Sequence, residues 1–273
     1  MNPNLLRGRV LSIAGSDSGG GAGIQADIKA IAALGCFAMT AVTAITVQNT
    51  QGVTGIHAVP EDIIAAQIES VLGDLGADCI KTGMLGTASV IETIAATLGS
   101  AARGIPLVVD PVMVAKGGAP LLADSAVGAL RARLLPMATL ITPNLPEAEV
   151  LAGRPIQTPD DMKDAAKALR DLGVRAVLLK GGHLAGDRIV DIYDGPGGPH
   201  AWHSARIDTR HTHGTGCTLA SAIAAGIAQG MEMLPAISRA RDYVRVAIET
   251  APGLGRGHGP LNHSHTVRVF EGG

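Results

Sequence analysis

The chain has 273 residues, of which 47% are hydrophobic but only 2% are aromatic, and its formal net charge is -2. This length fits one α/β domain with a large core of Ala, Val, Leu and Ile. The near-neutral charge and the few aromatic side chains argue against nucleic-acid binding, which uses basic patches and stacking surfaces. The longest uncharged stretch, 30–60, carries glycines, amides and threonines that are costly in lipid, so we expect no membrane partner.

Cysteine usage indicates a reducing compartment. Cys36, Cys79 and Cys217 are widely separated, odd in number and never in a CxxC pair. This pattern is typical of free thiols in a cytosolic protein rather than of a disulfide framework. Residues 1–8 also lack the apolar core of a secretory signal. We therefore expect a cytoplasmic location.

Short β-rich runs alternate with helical patterns from the first strand to the end of the chain. A change near 188–207, around a Gly/Pro cluster, predicts a β-hairpin. The predicted strands cover 9–14, 37–47, 79–82, 106–109, 139–142 and 176–180, and the predicted helices cover 22–34, 61–72, 88–98, 125–134, 160–172, 216–229 and 234–250.

Repeated strand–helix units predict a mostly parallel sheet with helices on both faces. No repeat, linker or composition break divides the chain, so we expect a single domain over 1–273. In such sheets ligands bind beyond the carboxyl ends of the strands. The loops at these ends are glycine-rich or polar, which predicts one composite site: 15–23, 48–55, 81–86, 110–118, 143–147 and 180–183.

The first glycine-rich loop, 15–23, follows a strand and precedes a helix. Its spacing formally matches a dinucleotide-binding fingerprint. That fingerprint also requires an acidic residue about 20 positions later, and 38–50 contains no Asp or Glu. The alternatives are a turn that only permits close strand–helix packing, and a loop whose missing Cβ atoms let backbone amides approach a small substrate.

The second glycine-rich loop, 211–218, leads into a helix of small residues. Adjacent glycines at a helix start expose several N–H groups that suit phosphate oxygens. No Gly-Lys dipeptide occurs in the chain, which excludes a Walker-type phosphate loop. The alternative is an ordinary capped helix start, with Thr215 as the capping hydroxyl.

Together these segments resemble the ribokinase superfamily, and within it the hydroxymethylpyrimidine/phosphomethylpyrimidine kinases of thiamine biosynthesis. The matching motifs keep the family's order from Val10 to about Pro260. They occupy 14–27, 47–50, 81–85, 110–118, 142–148, 180–183 and 212–218. The resemblance implies a three-layer α/β sandwich with a mostly parallel sheet, ATP and Mg²⁺ as cofactors, and successive phosphorylation of a pyrimidine alcohol and its monophosphate. It also implies a homodimer.

Within this resemblance, Asp27 and Gln48 are the expected substrate-recognition residues. The Gln48 amide offers an acceptor and a donor to the amine and ring nitrogen of an aminopyrimidine. Gly15 is expected to let the substrate approach, and Met84 and Val112 to supply apolar walls. The alternatives are an exposed loop glutamine and simple core packing.

The resemblance also implies a metal and nucleotide site. Asn144 and Glu147 are expected to hold Mg²⁺ through water, with Asp110 as a further candidate. The residues expected near the ATP phosphates are Lys180, Thr215, Asn144 and Lys116. Helix capping is the alternative for the Asn-x-x-Glu motif, and both interpretations are compatible.

Cys217, with Gly214, Thr215 and Gly216, is the expected catalytic group. The wider superfamily has Asp at this position as a base, so the substitution leaves the identity of the base open. We expect Cys217 to orient the alcohol while the loop amides stabilise charge. His183, His211 and His213 lack the spacing of a zinc site.

Two competing functions share these residues. A pyridoxal kinase has the same fold and also acts on a ring bearing a hydroxymethyl group, although the Gln48 amide favours the aminopyrimidine. A non-catalytic pyrimidine- or nucleotide-binding module is the alternative outside the enzymes. The argument against that module is the retention of Asp27, Lys180, Asn144, Glu147 and Cys217.

Overall fold

A large sheet forms the centre of the computed structural model, which describes residues 6–115, 118–119, 121–184 and 186–267. Within these residues, eight strands pair in the order β10-β9-β8-β7-β6-β5-β1-β2. β9 pairs antiparallel with both β8 and β10, and the other described pairings in this sheet are parallel. The strands are β1 Arg9–Ala14, β2 Phe37–Val42, β5 Cys79–Thr82, β6 Leu107–Val109, β7 Leu140–Ile141, β8 Val177–Leu179, β9 Arg188–Asp194 and β10 His200–Ala205.

Helices cover both faces of this sheet, because alternate strand residues are buried on opposite sides. In β1, Leu11 and Ile13 pack in one core and Val10 in the other. The first face carries α2 Glu61–Asp74, α3 Ala88–Ala101, α4 Asp124–Ala129, α5 Leu145–Ala152 and α6 Pro159–Asp171, and the second carries α1 Gly23–Ala33, α7 Thr215–Ala228 and α8 Met233–Glu249. The predicted three-layer fold and the hairpin of β9 and β10 are confirmed. No helix among the described residues has the length and apolarity to cross a bilayer.

The predicted strand 37–47 is wrong as a single element. It divides at Thr43, whose hydroxyl donates to the Met84 carbonyl at 2.7 Å. Beyond this point β3 (Ala44–Asn49) leaves the main sheet and pairs with β4 (Gly52–Ala58), which we did not predict. The continuous run of Thr, Val and Ile contains no Gly or Pro to mark the break. The small β3–β4 sheet carries Gln48 toward the ends of the parallel strands.

A fully buried ion pair joins four elements beneath those strand ends. Lys81 Nζ of β5 donates to both carboxylate oxygens of Asp27 on α1, at 2.9 and 2.8 Å, and neither side chain is exposed. Ser12 on β1 donates to Asp27 Oδ2 at 2.6 Å, and Ser221 on α7 donates to Oδ1 at 2.7 Å. The carboxylate is thus fully paired, as a charge in a dry interior must be.

This arrangement corrects the role expected for Asp27. The side chain has no exposed surface and both of its oxygens are occupied by protein donors. Direct contact with a ligand therefore has no support in the structure. We assign Asp27 to holding α1 and α7 against the sheet, with Lys81 as its counter-ion.

The pair can be tested by a double-mutant cycle. Lys81→Met leaves Asp27 charged, buried and without a counter-ion, so it should lower the free energy of unfolding by about 3–5 kcal/mol. Asp27→Asn combined with Lys81→Met removes both charges and should be more stable than Lys81→Met alone. Denaturant unfolding of the four proteins measures the coupling. Additive losses would contradict the assignment.

Candidate active site

Two glycine-rich loops touch each other backbone to backbone at the carboxyl ends of the parallel strands. Gly214, which precedes α7, has φ +83°, and a Cβ there would overlap the carbonyl oxygen of Gly21. A Cβ on Gly21 would in turn meet the His213 ring. Both positions therefore require glycine, Gly214 for its left-handed conformation as well as for space. The contact brings the loop after β1 against the start of α7.

The start of α7 exposes backbone N–H groups instead of capping them. Gly214 is the N-cap, and no described side chain bonds to the first turn as a cap. Thr215 does not act as a capping hydroxyl, because it is the first residue inside the helix and accepts no N–H of the first turn. Its Oγ1 donates to the Thr212 carbonyl at 2.7 Å. The first amides of a helix point along its axis with a partial positive charge. The helix start therefore offers amide donors to an anion.

Cys217 lies in this first turn above the buried ion pair. Burial raises the pKa of its thiol to about 11, and the negative charges of Asp27 and Asp110 act in the same direction. The positive charge of Lys81 lowers the pKa but does not outweigh these effects. Cys217 is therefore a neutral thiol at physiological pH.

Lys180, which directly follows β8, reaches the same helix start. Its Nζ donates to Asp110 Oδ1 at 3.1 Å, and Thr142 Oγ1 donates to the same oxygen at 3.1 Å. A Cβ on Gly216 would lie 3.2 Å from Lys180 Nζ and 3.6 Å from Asp110 Oδ2. Burial lowers the pKa of Lys180, but Asp110 and Glu147 raise it overall, so the ammonium stays charged. A cation, a carboxylate and free helix amides thus share one corner of the site.

Asn144 and Glu147 form a capping box at the start of α5. Asn144 Oδ1 accepts from the Glu147 N–H at 3.0 Å, and Glu147 Oε2 accepts from the Asn144 N–H at 2.8 Å. The capping interpretation is thus present in the structure. Burial raises the pKa of Glu147 to about 7; Lys180 opposes this change, and the neighbouring Asp110 adds to it. Two mutually repelling carboxylates therefore flank Lys180.

The apolar side of the site collects most of the other expected residues. Gly15 faces Met84, whose Sδ and Cε would lie 3.2 Å from a Cβ at that glycine. Val112 is half-buried and borders a small cavity of about 10 Å³ with Asp110. Gln48 is half-buried on β3, with its Nε2 3.4 Å from His213 Nε2. Lys116, expected near phosphate, lies outside the described residues.

Sequence reasoning missed two pairs that organise the site. Lys81 lies in a recognised motif but was not selected, because a strand lysine gives no sign of being buried. His213 was considered only as a zinc ligand, whereas its Nε2 lies 2.8 Å from Asp17 Oδ2. Among the described residues no group of three or more His, Cys, Asp or Glu could hold a metal. The feature of the sequence that could have drawn attention to Asp17 is the Ser-Asp-Ser-Gly run around it.

The loop contact predicts different costs for two left-handed glycines. Gly214→Ala introduces both backbone strain and overlap with the Gly21 carbonyl, whereas Gly230, φ +81°, has nothing within 4 Å of an added Cβ. Gly230→Ala should cost only the strain, about 1–2 kcal/mol. Gly214→Ala should lose a further 1–3 kcal/mol or so from overpacking. Denaturant unfolding compares the two, and equal losses would disprove the close contact.

The comparisons with known proteins agree with this geometry. The family model described as phosphomethylpyrimidine kinase matches residues 17–262. A hydroxymethylpyrimidine/phosphomethylpyrimidine kinase of Streptomyces coelicolor is 49% identical over 254 residues, which cover 93% of each chain. A thiamine biosynthesis bifunctional protein ThiED of Geobacter sulfurreducens is 54% identical over 94% of this chain, which spans 52% of that relative's length.

Solved structures give the same result for the fold. An ADP complex of Bacillus subtilis pyridoxal kinase superposes with a TM-score of 0.87 and 39% identity, covering 94% of this chain and 98% of that one. The predicted ribokinase-like architecture is confirmed. Since the family model spans most of the chain and the identity to curated kinases is high, the chain belongs to the phosphomethylpyrimidine kinase family.

Proposed function

We propose that the chain transfers the terminal phosphoryl group of ATP to 4-amino-5-hydroxymethyl-2-methylpyrimidine and then phosphorylates the monophosphate, as steps of thiamine biosynthesis. Relatives with this kinase activity in their name are about half identical over nearly the whole chain. The observation that carries the proposal is the start of α7, where exposed amides lie beside Lys180 and Cys217.

The helix amides and Lys180 supply the electrostatic part of the mechanism. In a loose phosphoryl-transfer transition state, charge spreads over the oxygens of the migrating group, and catalysis consists mainly of positioning and charge stabilisation. In this proposal the N–H groups of Gly216 and Cys217 donate hydrogen bonds to those oxygens, and the α7 dipole stabilises their negative charge. Gly214 and Thr215 shape the turn, and Lys180 adds a charged donor.

Cys217 orients the acceptor alcohol in this mechanism. Because burial raises the pKa of its thiol to about 11, Cys217 is protonated at neutral pH and is not available as a general base. Its sulfur can accept a hydrogen bond from the alcohol and aim the oxygen at phosphorus. A strong base is unnecessary, because in a loose transition state the alcohol loses its proton only late in the transfer.

Asp110, Asn144 and Glu147 fit a Mg²⁺ ion held largely through water. The proximity of Asp110 helps to raise the pKa of Glu147, and a divalent cation would relieve that repulsion. Mg²⁺ prefers oxygen ligands and keeps several waters, so one or two carboxylates suffice. When bound, the ion would neutralise charge on the nucleotide phosphates. Lys180 and Asn144 are the residues proposed to contact those phosphates together with the ion.

Gln48, Gly15, Met84 and Val112 form the pyrimidine side of the proposed site. The Gln48 amide pairs with the amine and ring-nitrogen edge, which pyridoxal lacks. Met84 and Val112 pack on the ring, and the bare Gly15 leaves space for it. Pyridoxal remains the second candidate substrate, because a pyridoxal kinase shares the fold at 39% identity.

A second copy of the chain is the proposed partner, held through the outer face of the β3–β4 sheet. Ile45 and Val47 are 54% and 63% exposed there, and adjacent exposed apolar side chains mark association surfaces.

The free thiols Cys36, Cys79 and Cys217 support a cytoplasmic location, which cell fractionation with a compartment marker tests.

Light scattering tests the dimer. Wild-type protein should show twice the chain mass, and Val47→Glu should shift it to the monomer because a charge enters the apolar contact. Val150→Glu is the matched control, since Val150 is 49% exposed on α5, away from β3. A wild-type monomer, or dissociation by both variants, would contradict the proposed interface.

A product assay tests the activity. With ATP and Mg²⁺, mass spectrometry should detect the mono- and diphosphate of the aminopyrimidine alcohol, with higher kcat/KM than for pyridoxal. Cys217→Ala should lower kcat at least about tenfold, because the alcohol loses the contact that orients it toward phosphorus. Cys217→Ser, which keeps a hydrogen-bonding atom, should lose less. No phosphorylated pyrimidine, or a preference for pyridoxal, would overturn the proposed function.

A further inference from the structure

Gln48 lies between two hydrogen-bonding neighbours that decide how its carboxamide is turned. Oε1 lies 3.2 Å from Thr46 Oγ1, and Nε2 lies 3.4 Å from His213 Nε2. The oxygen and nitrogen of a carboxamide have nearly the same shape, so the partners determine which end lies where. The inference below rests on the proposed function, in which this amide binds the pyrimidine.

Thr46 can only accept from Gln48. Its hydroxyl has a single proton, which it donates to the Ser16 carbonyl at 2.7 Å. The Thr46 side chain is almost fully buried, so no solvent replaces that acceptor. An oxygen of Gln48 facing this hydroxyl would receive no proton. The position beside Thr46 therefore favours the N–H₂ group of Gln48.

His213 cannot accept a hydrogen bond from Gln48 through Nε2. Its Nε2 lies 2.8 Å from Asp17 Oδ2, and the same carboxylate accepts backbone N–H groups from Gly19, Gly21 and Ala22 at 2.8, 3.0 and 2.8 Å. An ionised carboxylate is an acceptor only, so the proton of this contact resides on Nε2. That nitrogen has no lone pair left for an amide N–H.

The protonation of Asp17 supports this assignment. Burial alone would raise the pKa of Asp17, but the bond from His213 and the backbone N–H groups of Ala22 and Gly19 outweigh it and hold the pKa below its ordinary value. Asp17 is therefore ionised at neutral pH. His213 donates to it in either the neutral or the charged form of the ring.

We propose that Asp17, His213 and Thr46 are positioning residues that fix the Gln48 carboxamide with Oε1 toward His213 and Nε2 toward Thr46. Rotation of the terminal amide by about 180° achieves this. It gives a full donor–acceptor pair between Gln48 Nε2 and Thr46, and it replaces two facing N–H groups at His213 by an oxygen that shares the Nε2 proton with Asp17. One lone pair and one N–H of the amide then remain for a ligand, in a fixed order.

This order selects the substrate and its orientation. The amine of an aminopyrimidine must face the Gln48 oxygen, on the side of His213 and the loop that leads to Cys217. In the proposed substrate the amine and the hydroxymethyl group are on adjacent ring carbons. Pairing the amine on that side therefore also turns the alcohol toward the start of α7. An analogue with a 4-oxo group presents the reverse pattern, an acceptor beside a ring N–H, and is disfavoured.

The test is the ratio of kcat/KM for the aminopyrimidine alcohol to that for its 4-oxo analogue. Thr46→Val and His213→Phe should each lower the ratio about tenfold, the factor that one hydrogen bond is worth. Most of the change should appear in KM for the amino substrate. Thr46→Ser keeps the accepting hydroxyl and should therefore show the wild-type ratio. Thr54→Val is the matched control, because Thr54 is an exposed β4 residue whose hydroxyl bonds to Val47, and its ratio should equal that of wild type.

The outcomes separate this inference from the proposed function. An unchanged ratio in Thr46→Val, with kcat and KM of both substrates altered in parallel, would overturn the positioning role. Should His213→Phe fail to fold in a thermal melt, Thr46→Val and its serine rescue decide alone. A wild-type protein that does not turn over the aminopyrimidine alcohol would instead refute the proposed function itself.

Discussion

The contact between the backbones of Gly21 and Gly214 is the constraint on which the site depends. Neither residue tolerates a Cβ, so the loop after β1 and the start of α7 can approach only as glycines. The approach leaves the α7 amides uncapped and brings His213 onto Asp17. Through His213 it also reaches Gln48 on the small sheet. The uncapped α7 amides and the Gln48 carboxamide are therefore connected through one junction.

Charge burial complements this backbone geometry. Lys81 and Asp27 are sealed beneath the strand ends, where they neutralise each other and tie β1, α1, β5 and α7 together. Their charges act in opposite directions on the pKa of Cys217, and burial leaves it a thiol. Lys180 stays ionised against Asp110 at the mouth of the site. In the proposed mechanism, a fixed cation and the helix amides stabilise the moving charge, and a neutral thiol orients the alcohol.

Periodicity predicted the layers and most helices, because these elements follow from local hydrophobic patterns. It failed at Thr43, where the hydrogen bond to Met84 separates β2 from β3 within an unbroken β-branched run. The resemblance selected Cys217, Lys180 and Gln48, which the structure brings to one edge of the sheet. It could not reveal that Asp27 is sealed by Lys81, or that Asp17 holds His213, because both pairs join residues distant in sequence. Partner identity of this kind follows only from tertiary packing.

The most direct measurement of the central claim is a crystal structure with a non-hydrolysable ATP analogue and the aminopyrimidine alcohol. The account predicts that the γ-phosphate accepts hydrogen bonds from the amides at Gly216 and Cys217, with the alcohol oxygen between phosphorus and the Cys217 sulfur. The pyrimidine amine should face Gln48 on the His213 side. A γ-phosphate bound away from α7, or a ring bound away from Gln48, would contradict it.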